Sequence, residues 1–416
     1  MGLFSKFVKS KNDKAKPAPP VFTLAISTKY MPEDDVLTEK IEPIKGTDPE
    51  LIIITTSLNF NIEEVAGKFA SFFPKTPIIG LKVRGIIGTE NSIVPKSGIG
   101  LIAFSREFFR ASVWLPSNSQ EHKIKQGIPA ALENFIESSN KYSDKFPGML
   151  NMGFWDSYQN GHLLIDTYEE KLNSHGIYNI PLTGVILHPG NPLKHIFLLY
   201  LQGDKIERIR NGFIFVSLFS KFNVKSKISL GLHPLIPFKI TEAHDSVVAK
   251  LNYKPAFLAY KEYIMKKGIS EGQLERDLPF IFATYQFGFP NPRDPRKPEV
   301  RIALKKTEED GLQFNGDIPT GSTIWVMEAN NKRMIEETMS LVDANFDGER
   351  RGGIVFSSIF RLIRMKNDYT KDIDSIRQVM EDSPFLMFNT YLEIYYKDSK
   401  QAYSNSSSNL INIFHE

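Results

Sequence analysis

Three side chains able to do chemistry stand in or beside apolar strand-like runs: Arg361 in IVFSSIFRL, Glu393 in FNTYLEIYY and Asn405 in YSNSSSN. An ionised group in such a run is costly unless something compensates it. Arg offers a planar fork of donors to a carboxylate, and a Glu with a nearby Asn can accept from an ammonium, so the set matches the two ends of an amino acid. The same residues can instead form an ion pair that ties strands together.

A second candidate is PIIGLKVRGIIG, residues 77–88, with Gly80 and Gly85 five apart after an apolar run. A phosphate-binding P-loop needs Lys and Ser or Thr directly after its second glycine, and Ile86 and Ile87 stand there. The pair is read instead as a strand end and tight turn, either a plain turn or one whose bare amides face a pocket. Lys82 and Arg84 lie between the glycines and can draw an anion. Gly80, Lys82, Arg84 and Gly85 are therefore taken as ligand-binding candidates.

Other patterns fail on their context. SGIGLIAF matches a dinucleotide fingerprint but is itself strand-like, where the fingerprint must open a helix. DANFDG opens like a calcium loop at Asp343, Asn345, Asp347 and Gly348, yet Ile354 occupies the twelfth position, which requires a bidentate Glu. His188 with His195, and His162 with Asp166, lack the helical H-E-x-x-H context of a strong zinc signal and are read as scattered surface residues. No Gly-x-Ser-x-Gly elbow occurs, so catalysis has no positive argument and no cofactor or metal is expected.

The chain of 416 residues has no Cys, which excludes disulfides and thiolate chemistry. Its net charge of +3 is too mild for nucleic acid without a basic stripe, and none is present. The dense basic stretch SKFVKSKNDKAK runs into PAPP, the composition of a flexible tail. Leu3, Phe4, Phe7 and Val8 share helical spacing there, so the tail is read either as a frayed terminus or as a weak contact with an anionic membrane surface. Without an apolar stretch long enough to span a bilayer or serve as a signal peptide, a cytoplasmic protein is expected.

The elements that must position these residues follow from periodicity. PELIIITTS reads as a buried strand, NIEEVAGKFASFF as a helix, SGIGLIAFS and FFRASVWLP as strands. The order then repeats: the helix GHLLIDTYEEKLNSHG precedes IPLTG as another helix precedes TPIIG, which suggests an internal duplication. GGIVFSSIFRLIRM and PFLMFNTYLEIYY each read as continuous strand, with the helix KDIDSIRQVMED between them. The expected architecture is α/β (α+β): two domains with mixed, largely antiparallel sheets and flanking helices, enclosing a polar cavity between them.

LGLHPLIPFKITEAHDSVVAKLNYKPAFLAYKEYI, followed by DGLQFNGDIPTGSTIWVME, resembles the junction of the two halves of the FIST family of sensory domains. The resemblance extends from Val21 to the end. It implies a tail over 1–20, an N-terminal domain over 21–255 and a C-terminal domain over 256–416. Gly80 and Gly85 fit the family's strand-turn element, with Lys82 where Ser is usual. Thr183 and Gly184 stand where the family tends to have Gly-Gly, and Arg361, Glu393 and Asn405 match its C-terminal signatures. The resemblance implies a non-enzymatic sensor of a small ligand such as an amino acid or small carboxylate, signalling through a separate protein. A ligand-free interaction or scaffold protein retaining the fold is the alternative.

Overall fold

The computed structural model describes residues 19–44, 49–88, 97–115, 124–156, 161–177, 180–187, 197–210, 212–290, 298–314, 318, 320–341, 348–381, 383–398, 401–405 and 408–416. The basic tail, residues 343–347 of the calcium-like loop and the His188–His195 segment lie outside these, as do the side chains of His162 and Asn405.

One supersecondary pattern accounts for most of the chain. Its first copy comprises β1 (Val21–Ser27), α1 (Asp34–Ile41), β2 (Pro49–Ser57), α2 (Ile62–Phe72), β3 (Ile78–Val83), β4 (Ile86–Gly88) and β5 (Gly98–Ser105). The isoleucine run makes β2 a strand buried on both faces, as expected where helices cover one side. Asn61 caps α2 by accepting from the Glu63 amide at 3.1 Å, and Ile62, Val65, Ala66 and Phe69 form its buried stripe. β2 and β3 run parallel across α2, β5 lies antiparallel to β2, and β1 antiparallel to β5.

The second copy comprises β6 (Phe109–Trp114), α3 (Ile124–Tyr142), β7 (Gly148–Trp155), α4 (Gly161–Ser174), β8 (Leu182–Ile186), β9 (Leu198–Gln202), β10 (Lys205–Ile209) and β11 (Phe213–Ser220). Its pairings match: β7 parallel to β8, β11 antiparallel to β7, β6 antiparallel to β11. The duplication expected from sequence is thus visible, and a third copy follows.

The third copy opens with β12 (Asn223–Ser229) and is interrupted by an inserted module. The module contains β13 (Leu232–His244), β14 (Val247–Leu251), β15 (Lys254–Pro255), α5 (Ala256–Lys266), α6 (Glu271–Arg276), α7 (Leu278–Thr284), β16 (Tyr285–Phe289), β17 (Glu299–Arg301), β18 (Ala303–Lys306), β19 (Leu312–Phe314), β20 (Thr323–Ala329) and α8 (Asn331–Met339). Its strands form a separate sheet over its own core of Ile240, Tyr260, Phe287 and Val326. The copy resumes with β21 (Arg350–Ser358), α9 (Ile359–Met365), α10 (Tyr369–Met380), β22 (Phe385–Thr390), β23 (Leu392–Asp398), β24 (Gln401–Asn405) and β25 (Asn409–His415). Here β21 is parallel to β22, β25 antiparallel to β21, and β12 antiparallel to β25.

The copies interlock cyclically. The strand after each parallel pair leaves its own copy: β4 pairs with β22, β9 with β3 and β23 with β8. Separating any copy therefore breaks strand ladders at two places. The three resulting sheets turn their inner faces to one core, where Phe104, Phe109 and Phe414 meet edge to face and Phe154, Phe356 and Phe388 do likewise. Helices cover the outer faces: α1 and α2 on the first sheet, α3 and α4 on the second, α8 and α10 on the third.

Candidate functional site

The chain leaves β21 at Ser358, whose hydroxyl caps the next helix by accepting from the Phe360 amide at 3.3 Å. Arg361 therefore sits in the first turn of α9 and not on a strand, contrary to the continuous apolar reading. Its guanidinium is fully buried and meets both carboxylate oxygens of Asp372 on α10, Nε to Oδ2 at 3.0 Å and Nη2 to Oδ1 at 2.7 Å. Nη2 also donates to the Met334 carbonyl and the Thr338 hydroxyl of α8, each at 3.1 Å. Nη1 has no partner among the described residues. Asn409, at the start of β25, donates to Asp372 at 2.9 Å. One ion pair thus joins three helices to a strand.

Glu393 does not touch Arg361 through a hydrogen bond. It accepts from the Thr390 hydroxyl at 2.7 Å, the Ser408 hydroxyl at 2.8 Å and the Ser408 amide at 3.3 Å. Complete burial pushes its carboxyl up to about 8, against the opposing pull of those donors and of the Arg361 charge. On β23, Glu393 lies opposite Val185 of β8 on one side and Asn405 of β24 on the other. Gly184 and Thr183 pair with the next two residues, Ile394 and Tyr395. The Thr183 hydroxyl faces Asn412 of β25 at 3.4 Å, and Gly184 leaves room for the Trp155 indole, which a Cβ there would meet at 2.7 Å.

The glycine pair divides. Gly80 lies mid-strand in β3, opposite Ile54 and Leu199, and not at the turn expected from its spacing. A Cβ there would meet Leu199 at 2.9 Å and Ile62 of α2 at 3.0 Å, so its bareness serves helix-on-sheet packing. Gly85 sits between β3 and β4, where its carbonyl accepts from the Asn389 amide at 2.9 Å. The Arg84 guanidinium covers the Tyr391 ring at 5.6 Å. Arg84 and Gly85 thus abut the β22–β23 corner that carries Glu393, whereas Gly80 and Lys82 belong to the first sheet.

Among the described residues, phenyl rings fill the common centre of the three sheets. A cleft opens instead beside α8, about 540 Å³ in volume, with Lys227, Ser229, Leu230, Arg333, Glu337 and Ser340 among its lining residues. Gly231 makes this junction possible: its φ of +68 and the approach of Met334 Cα to 2.5 Å of a would-be Cβ both demand glycine. Glu337 accepts from the Leu230 and Gly231 amides at 3.1 and 2.7 Å through one oxygen and from Arg333 Nε at 3.0 Å through the other. The Ser229 hydroxyl, in the cleft wall, lies 3.1 Å from that of Thr338, which joins the Arg361–Asp372 pair.

Sequence reasoning missed Asp372, Thr338, Asn409, Ser229 and Glu337. Asp372 had a signal: it shares the buried stripe of α10 with Tyr369, Ile373 and Ile376, where a carboxylate demands a cation. Among the described residues, no three metal-ligating side chains gather at one point, and no helix is long and apolar enough to cross a membrane.

The fold defines a two-domain α/β protein with mixed sheets. A family model for the FIST N domain matches residues 50–254, and one for the FIST C domain matches residues 256–396. The chain belongs to the FIST family, whose domains are sensory domains of signal transduction. No curated protein matches its sequence.

Proposed function

We propose that the protein is a non-enzymatic sensor that takes an amino acid or small carboxylate in the cleft beside α8 and passes the signal to a separate protein. The observation that carries this reading is the hydrogen-bonded path from the cleft wall at Ser229 through Thr338 to the buried Arg361–Asp372 pair. The cleft volume suits a small ligand. Arg333 and Lys227 supply cations for a carboxylate, and Glu337 an acceptor for an ammonium. Because α8 closes the inserted module and packs on α10, a ligand gripping Glu337 would bias the contact between that module and the third sheet.

Thermal denaturation across a panel of amino acids and small carboxylates tests this. A sensor gains stability by mass action with at least one compound. Ser340→Trp, an exposed change that fills the cleft, should abolish that gain and leave the unliganded midpoint unchanged. A wild-type protein that responds to no compound favours the scaffold alternative.

A further inference from the structure

Four cationic side chains are buried among the described residues: Lys82, Arg301, Arg350 and Arg361. Arg301 has Glu299 at 3.5 Å, Arg350 has Glu381 at 2.7 Å and Arg361 has Asp372 at 2.7 Å. Lys82 is 9% exposed, and its ammonium has no carboxylate and no hydrogen-bond partner among the described residues. Buried charges are normally paired, because the cost of removing them from water must be met by an opposite charge. Burial alone shifts its ammonium downward, with no carboxylate field opposing.

Its neighbour is incomplete in the same way. Thr56 stands opposite Lys82 in the parallel β2–β3 ladder, so both side chains point to one face, the one carrying Ile52, Ile54 and Ile78 beneath α2. Thr56 is fully buried and its Oγ1 has no partner among the described residues. Two residues before Lys82, bare Gly80 lets Ile62, the first residue of α2, press against β3. Lys82 and Thr56 thus lie at the carboxyl ends of parallel strands, level with the N-terminal turn of an eleven-residue helix, where the helix dipole favours negative charge. Of the two acids in that turn, Glu63 is held away by Arg208 at 2.7 and 2.6 Å, and Glu64 is exposed.

We propose that Lys82 and Thr56 form a binding site for a small oxyanion, a carboxylate or phosphate, at the carboxyl edge of the first sheet. The ammonium supplies the charge and the Thr56 hydroxyl a donor, while residual exposure of Lys82 admits the ion. This site lies on another sheet from the cleft beside α8 and does not depend on the function proposed there.

The test uses the full chain at constant ionic strength in chloride, titrated with acetate or with inorganic phosphate. The wild type should show a saturable rise in Tm on the order of 2–5 °C with one of them, and the arm that responds identifies the class. Lys82→Met should lose the part of the response that does not come from the cleft, and in chloride alone it should melt at or above the wild type, because it removes an uncompensated charge. Thr56→Val should weaken the response without that gain. A wild type that responds to neither anion, or a Lys82→Met variant that responds as the wild type does, overturns the proposal. Ser340→Trp, which blocks only the other cleft, should keep the Lys82-dependent part of the response, so failure of one site is distinguishable from failure of the other.

Discussion

The Arg361 guanidinium holds both oxygens of Asp372, at 3.0 and 2.7 Å, with neither side chain exposed. Removing one partner strands the other charge in the interior. Arg361→Met or Asp372→Leu alone should cost about 3–5 kcal/mol, and the double variant should recover most of that loss. Urea unfolding of the four proteins measures it. Additive losses would mean that the two groups act independently.

Glu393 makes stability depend on pH with a definite sign. Its folded value of about 8 exceeds the ordinary carboxylate value, so between them the folded state holds a proton that the unfolded state has released. Stability should fall as pH rises from about 5 to about 8, by on the order of a few kcal/mol. Glu393→Gln keeps the shape and removes the titration, so its denaturation midpoint should lose that slope and exceed the wild type's at pH 8. Parallel pH profiles for both proteins would contradict the assignment.

Gly184 and Gly153 jointly seat the Trp155 indole, with a would-be Cβ 2.7 and 2.1 Å from the ring. Gly184→Val should cost about 1–3 kcal/mol by overpacking and shift the tryptophan emission as the ring is displaced. An unchanged spectrum in a folded variant would show that the ring has another resting place.

Much of this was legible from local chemistry. The isoleucines of β2 and the Asn-capped stripe of α2 announce themselves, and each has one period and one burial pattern. The break at Ser358 was hidden because IVFSSIFRL is apolar on both sides of it, although a Ser before a helix-forming run is a cap signal. The third copy was obscured because β12 and β21 are separated by the whole inserted module. Strand exchange among the copies left no local trace: the β4 residues read as part of a turn, and β23 as a continuation of β22, although the two strands belong to different sheets. Of the candidate residues, Arg361 and Glu393 were found through the cost of burying charge, but their true partners, Asp372 and Ser408, sit on the next helix and immediately before the last strand, and no periodicity marks either as the matching group.

Glu337 fastens the β12–β13 link to α8 through two backbone amides. Glu337→Ala leaves both donors unpaired and should cost about 1–3 kcal/mol, whereas Glu336→Ala, one residue away and exposed, should cost almost nothing. Chemical denaturation of the two variants gives the comparison. Equal effects would remove Glu337 from its place in the cleft.

The most direct test of the sensor account is amide hydrogen exchange with and without the compound that raises thermal stability. Occupation of the cleft predicts slower exchange at Leu230, at Gly231 and along α8, extending through Thr338 to α9 and α10. Protection confined to segments remote from α8, or exchange unchanged by a bound compound, would contradict it.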